Sequence, residues 1–169
     1  MRIIVCISLF VILLSLTHIG VSKFLGIGKP GLFLWADDKS MDSGFYFYNG
    51  MNIDRGQNIL IAPNDEIMKE IQIWRDDFNT RLFKKIAGIE GDIICHGDDF
   101  VTISYDGNVV LVKIADKRFI TDNLRNKCYA IKENHIFLLG TNNRSLDSRY
   151  FGQIDLKGAV ATYTYLNEI

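Results

Sequence analysis

"RLFKKIAGIEGD", residues 81–92, sets two adjacent lysines between an apolar pair and a Gly-x-x-Gly-Asp turn. Leu82, Phe83, Ile86 and Ala87 give the stretch the apolar density of a strand. Side chains in a strand alternate between faces, so Lys84 and Lys85 cannot point the same way. One of them turns inward, where an ammonium is expensive to keep charged. The ordinary explanation of such a pair is a solvated strand edge. The alternative is a lysine held indoors for its chemistry.

Outward from this stretch, short runs rich in Val, Ile, Phe and Tyr recur, divided by Gly, Asn and Asp. They are 44–48 (GFYFY), 58–62 (NILIA), 92–96 (DIICH), 100–105 (FVTISY), 108–114 (NVVLVKI), 135–140 (HIFLLG) and 159–166 (AVATYTYL). Asp106-Gly107 is the pair favoured in a two-residue hairpin turn. One helix is expected in 63–82, where Asn64 or Asp65 can cap it and Ile67, Ile71 and Trp74 share a face. The expectation is a mainly β body, an antiparallel folded sheet or barrel with one or two short helices.

The chain has 169 residues and a formal net charge of -1, which gives no broad attraction to nucleic acid. Residues Ile3 to Val21 are nearly unbroken in apolar side chains, with His18 the only ionisable one. At 1.5 Å per residue, 19 helical residues span about 28 Å, close to a bilayer core. The run exceeds a signal-peptide h-region and no A-x-A-like site follows it, so a retained membrane anchor is expected. The expected organisation is an anchor over 1–22, a Gly- and Pro-bearing linker over 23–36, and a folded body over 37–169. Counting Lys and Arg around the span places the body weakly on the cytoplasmic side. Cys95 and Cys128 are either a disulfide or two separate buried thiols, and their spacing does not choose between them. A bridge would require an oxidising compartment.

Two further stretches carry chemistry. Ser40-Met41 lies in "DDKSMDSGFYFY", residues 37–48, and "GTNNRSLDSRYFG", residues 140–152, crowds Ser145, Asp147, Ser148 and Arg149 into one polar loop. With the lysine stretch and the anchor, they resemble the serine–lysine signal peptidases of type I. The matching elements are Ser40-Met41, Lys84-Lys85-Ile86-Ala87-Gly88-Ile89-Glu90-Gly91-Asp92, and Ser145-Leu146-Asp147-Ser148-Arg149-Tyr150-Phe151-Gly152. The short body, the Ser-x-x-x-Gly-x-Tyr pattern from Ser40 to Tyr46 and the two body cysteines look more like the conjugal-transfer branch, the TraF-type pilin-processing peptidases.

The resemblance implies a nucleophile, Ser40, and a general base, Lys84, with no metal or cofactor. A lysine base must be neutral near operating pH, which asks its pKa of ~10.4 to fall by roughly three units. Apolar burial acts in that direction. By the same resemblance Ser145 orients the lysine nitrogen, Asp147 and Arg149 form a structural ion pair, and positions 38 and 41 border the substrate and oxyanion. The implied substrate is an exported precursor or pilin, bound as an extended strand. The implied location is the inner membrane, with the body on the periplasmic face. A general housekeeping signal peptidase and an inactive precursor-binding or scaffold homologue are the competing readings. Several positions depart from the pattern. Asp38 stands where Ser or Thr usually helps bind the oxyanion, and an ionised carboxylate only accepts hydrogen bonds. Asp42 and Glu90 replace prolines, and Thr141-Asn142 replaces Gly-Asp.

Overall fold

A computed structural model describes residues 31–37, 40–72 and 81–166 of the chain. The expected anchor and Asp38 lie outside the described residues. Among the described residues, no helix is long and apolar enough to cross a membrane. Residues from Leu32 onward form one compact unit, distinct from Met1–Gly31.

The body is built on two antiparallel sheets. The larger contains β1 (Phe33–Ala36), β2 (Gly44–Gly50), β3 (Asn58–Ile61), β4 (Leu82–Gly88), β9 (His135–Leu139), β10 (Ile154–Asp155) and β11 (Ala159–Tyr165), in the order β1-β2-β11-β3-β4-β9-β10. The smaller contains β5 (Ile93–His96), β6 (Phe100–Tyr105), β7 (Asn108–Lys113) and β8 (Cys128–Ala130), in the order β7-β6-β5-β8. Among the described residues two short α-helices accompany them, α1 (Asp65–Gln72) and α2 (Ser148–Phe151). The mainly β expectation therefore holds, and every expected run supplies a strand. Strand β1 falls in the segment expected as linker: Phe33–Ala36 pairs residue for residue with Phe47–Gly44. Strands β8 and β10 lie outside the expected runs, being three and two residues long. The helix begins where capping predicts, with Asn64 accepting from Ile67 N at 3.0 Å. It does not extend to Leu82, which opens β4.

The β6–β7 hairpin turns at Asp106 and Gly107, both with positive φ (47° and 76°), as a two-residue primed turn demands. The end of β4 shows why its stretch reads Gly-x-x-Gly-Asp. A Cβ at Gly88 would lie 2.7 Å from Ile131 and 3.0 Å from Phe137, and Gly91 adopts φ +88°. Asp92 closes the turn by accepting from Ile89 N at 2.7 Å, and it holds Arg55 at 2.8 Å.

Apolar side chains collect into three clusters. One, with Ile59, Ile61, Ile86, Ile136 and Leu138, lies between α1 and the large sheet. Another, with Ala36, Met41, Tyr46, Phe83 and Tyr163, is assembled from β1, β2, β4 and β11. The third joins Ile94, Val101 and Ile103 of the small sheet to Phe137 of β9 and Tyr150 of α2. It is the seam between the sheets.

Cys95 and Cys128 are register partners on β5 and β8 and are joined by a disulfide. Closing a 33-residue separation constrains the unfolded chain by roughly 3–4 kcal/mol in the loop-entropy model. Beside the bridge, His96 is 2 % exposed and stacks on Tyr129. Burial lowers its pKa below 6.5, against an opposing pull from the Ser148 and Arg149 backbone. A histidine kept neutral by folding contributes stability above its unfolded pKa and loses it as pH falls through the lower folded value. The urea midpoint should therefore drop as pH is lowered from about 7 toward 5. In His96→Phe that drop should be smaller; an identical drop would assign it to other groups.

Candidate active site

Ser40 sits in the turn that follows β1, with the next residue, Met41, buried in the cluster around Tyr46 and Phe83. The Tyr46 hydroxyl donates to Asp42 O at 2.8 Å and ties this turn to β2. Gly44 is the pivot. It has φ +154°, and a Cβ there would press into the Tyr165 ring at 2.7 Å. The Ser-x-x-x-Gly-x-Tyr spacing thus shapes the loop that presents Ser40.

Lys84 comes from the middle of β4 and is 4 % exposed, while Lys85 is half-buried. Alternation requires one inward lysine without choosing it, and burial identifies it as Lys84. Its Nζ lies 2.5 Å from Ser40 Oγ and donates to Phe83 O at 3.0 Å. Lys85 is not a fully solvated partner, because it lines a groove where the small sheet approaches β4.

The third stretch wraps both groups from the end of β9. Thr141 N donates to Ser40 O at 2.9 Å, so the main chain of this loop holds the main chain of the serine. Gly140 N donates to Asp147 Oδ2 at 2.8 Å. A Cβ at Gly140 would come within 2.1 Å of Ser145 Oγ and 2.4 Å of Ser40 O, so only glycine allows this approach. Ser148 Oγ accepts from Leu138 N at 2.9 Å. Asp147 caps α2 by accepting from Arg149 N. The loop expected over 140–152 is therefore in part a helix start, and the two-residue spacing of Asp147 and Arg149 is that of a cap and its first turn.

Arg149 is 1 % exposed and holds the loop from inside. Its Nε and one terminal nitrogen donate to the two oxygens of Asp147 at 2.8 and 2.6 Å. The terminal nitrogens also donate to the carbonyls of Asn142, Asn143, Ser145 and Lys113. Burial disfavours the guanidinium charge, but Asp147 outweighs it and the pKa of Arg149 is raised.

Ser145 is brought to the site, 3 % exposed, yet its Oγ has no hydrogen-bond partner among the described residues. The contact to the lysine nitrogen implied by the resemblance is thus not among the hydrogen bonds of the described residues. Gly140 and Thr141 position the site although the sequence pattern assigns them no such role. Their contributions are a missing Cβ and a main-chain N–H, neither of which residue type announces. Beside Ser40 lies an open cavity of about 690 Å³ lined by Asp37, Met41, Asp42, Ser43 and Thr141 to Asn143.

The family model described as "Signal peptidase, peptidase S26" matches residues 39–166. No curated protein matches the chain. Among solved structures, the chain is similar to a signal peptidase I from Enterococcus faecalis V583 at 20 % identity and a TM-score of 0.40. That match covers 69 % of this chain and 100 % of the other.

Removing one member of a buried ion pair strands the other charge and typically costs 3–5 kcal/mol. Arg149→Ala is expected to lower unfolding stability by about that amount. Arg118→Ala, which breaks the exposed pair with Asp116, should leave the urea midpoint in place. Equal effects of the two substitutions would contradict the role given to Arg149.

Proposed function

We propose a mechanism and a setting for this chain, which belongs to the signal peptidase family, peptidase S26. It is a serine-type hydrolase, a signal peptide-cleaving peptidase. In the proposed mechanism Ser40 Oγ attacks the scissile carbonyl while Lys84 Nζ accepts the serine proton. The 2.5 Å separation of the two atoms is the observation that carries this reading. The lysine enters the reaction as a neutral amine, so the serine hydroxyl is then the donor and Nζ the acceptor. Collapse of the tetrahedral intermediate breaks the C–N bond, and the leaving amine takes the proton from Lys84. A leader acyl ester remains on Ser40. Lys84 next deprotonates a water, which attacks the ester. Collapse breaks the bond to Ser40 Oγ, which takes the proton back from Lys84 as the leader carboxylate is released.

The oxyanion falls to main-chain N–H groups of the serine turn, because position 38 is an aspartate that in its ionised form cannot donate. Ser145 is assigned to orient the lysine nitrogen during turnover, and Asp147 with Arg149 to hold that wall. The β4–β9 pairing begins at Lys85 and Leu139, so Leu82 and Phe83 lie beyond the end of β9. This edge suits a precursor bound as an added strand, with Met41 beside the residue that precedes the cut.

The setting proposed is maturation of a pilin or similar precursor in a conjugative, type IV secretion system. Support comes from the shaping of the Ser40 loop by Gly44 and Tyr46 and from the Cys95–Cys128 bridge. The bridge and the apolar run Ile3–Val21 together favour a membrane-anchored enzyme whose body faces an oxidising periplasm. An inactive scaffold would have no use for a buried lysine at hydrogen-bond distance from a serine.

A peptide spanning a precursor's leader junction provides the test. Ser40→Ala and Lys84→Ala should each reduce cleavage at least 1000-fold. Ser145→Ala should reduce it about 10- to 100-fold with no loss of stability, since its hydroxyl carries no hydrogen bond among the described residues. Processing at wild-type rate by Ser40→Ala or Lys84→Ala would overturn the mechanism.

A further inference from the structure

Lys85, one residue beyond the proposed base, borders a groove that the mechanism above does not use. The groove has a volume of about 320 Å³ and is mostly apolar. Ala87 and Leu139 of the large sheet form one side, and Tyr105 and Val110 of the β6–β7 hairpin form the other. Its size is in the range of small-molecule and side-chain pockets rather than of packing defects.

Two features argue against a mere gap between sheets. First, its far wall is fixed. The Arg55 guanidinium lies 3.5 Å from the centroid of the Tyr105 ring, is paired with Asp92 at 2.8 Å, and donates to Ala87 O at 2.7 Å. One side chain thus braces both walls. Second, the groove shares a lining residue with the cavity beside Ser40. Gly140 and Thr141 are among the groove's lining residues, Thr141 also lines the cavity beside Ser40, and its N–H holds the Ser40 carbonyl. Val110, also part of the lining, is 40 % exposed on an edge strand that, among the described strands, pairs only with β6.

We propose that this groove binds the mature side of the precursor, receiving an apolar side chain within the first few residues after the scissile bond. The inference rests on the reading of Ser40 and Lys84 as the reacting pair. A leader laid along Leu82 and Phe83 in the direction of β4 reaches Ser40 where β9 begins to pair with β4. The chain beyond the cut must leave the sheet there, over Gly140 and Thr141, two residues that line the groove. Its apolar lining, with the aliphatic stem of Lys85 along one side, selects Leu, Ile, Val or Phe over Gly or Asp.

The test uses two peptides with the same leader, one carrying Leu and the other Gly at the second to fourth positions after the cut. Binding is measured to the full-length Ser40→Ala protein and cleavage with the wild type. The Leu peptide should bind about tenfold more tightly, and kcat/KM should favour it by a similar factor. A photoreactive residue at the third position should cross-link to the groove around Tyr105 and Val110. Val110→Asp should bring the Leu-to-Gly ratio close to one, whereas Val109→Asp, on the opposite face of β7, should preserve it. Equal binding of the two peptides, or cross-linking confined to Asp42 and Ser43, would overturn the proposal. Selective binding by Ser40→Ala with no cleavage by the wild type would uphold the groove and reject the catalytic reading. Cleavage indifferent to the downstream residues would do the reverse.

Discussion

The site depends on a buried guanidinium. Arg149 lies at the first turn of α2 and has no solvent in which to place its charge, so its donors are spent on Asp147 and on four main-chain carbonyls. Three of those carbonyls belong to the loop that follows β9. The loop has almost no apolar material of its own: residues 140–145 are Gly-Thr-Asn-Asn-Arg-Ser. Without the arginine, nothing in its composition would give it one conformation. With it, Asp147 is aligned to receive Gly140 N, and Thr141 N is aligned to hold the Ser40 main chain. An ion pair that adds little net stability can still set geometry in this way.

Lys84 illustrates the complementary constraint. It stands on a strand whose neighbours Leu82, Phe83 and Ile86 are buried, so the ammonium is in the least favourable part of the sheet for a charge. A neutral amine beside a serine hydroxyl removes that penalty and is also what a general base requires. Burial and chemistry therefore favour the same protonation state. The small sheet serves this arrangement from behind. Its apolar face packs on Phe137 and Tyr150, the elements on either side of the loop, and the Cys95–Cys128 bridge joins β5 to β8 beside His96.

Much of this architecture is legible in the residues themselves. Alternation alone demands that one of Lys84 and Lys85 turn inward, and Asp106-Gly107 specifies its hairpin. Apolar texture marks β2, β3, β5, β6, β7, β9 and β11, and the lysine stretch marks β4. Strands β8 and β10 escape because two or three residues show no periodicity and are strands only through their partners. Strand β1 escapes because it follows a run of glycines and a proline, and its pairing with β2 is a tertiary matter. The ordering of the site is least legible. A glycine required because Ser145 and Ser40 press on it looks like any glycine at the end of a strand.

The central claim is that Ser40, activated by Lys84, forms an ester with the leader. Mixing enzyme with a leader-spanning peptide, quenching in acid within the first turnover and mapping the adduct by mass spectrometry tests it directly. The account predicts enzyme enlarged by the mass of the leader fragment, with the modification on Ser40 and none in Lys84→Ala. A burst of product with no esterified enzyme, or an adduct on any other residue, would contradict it.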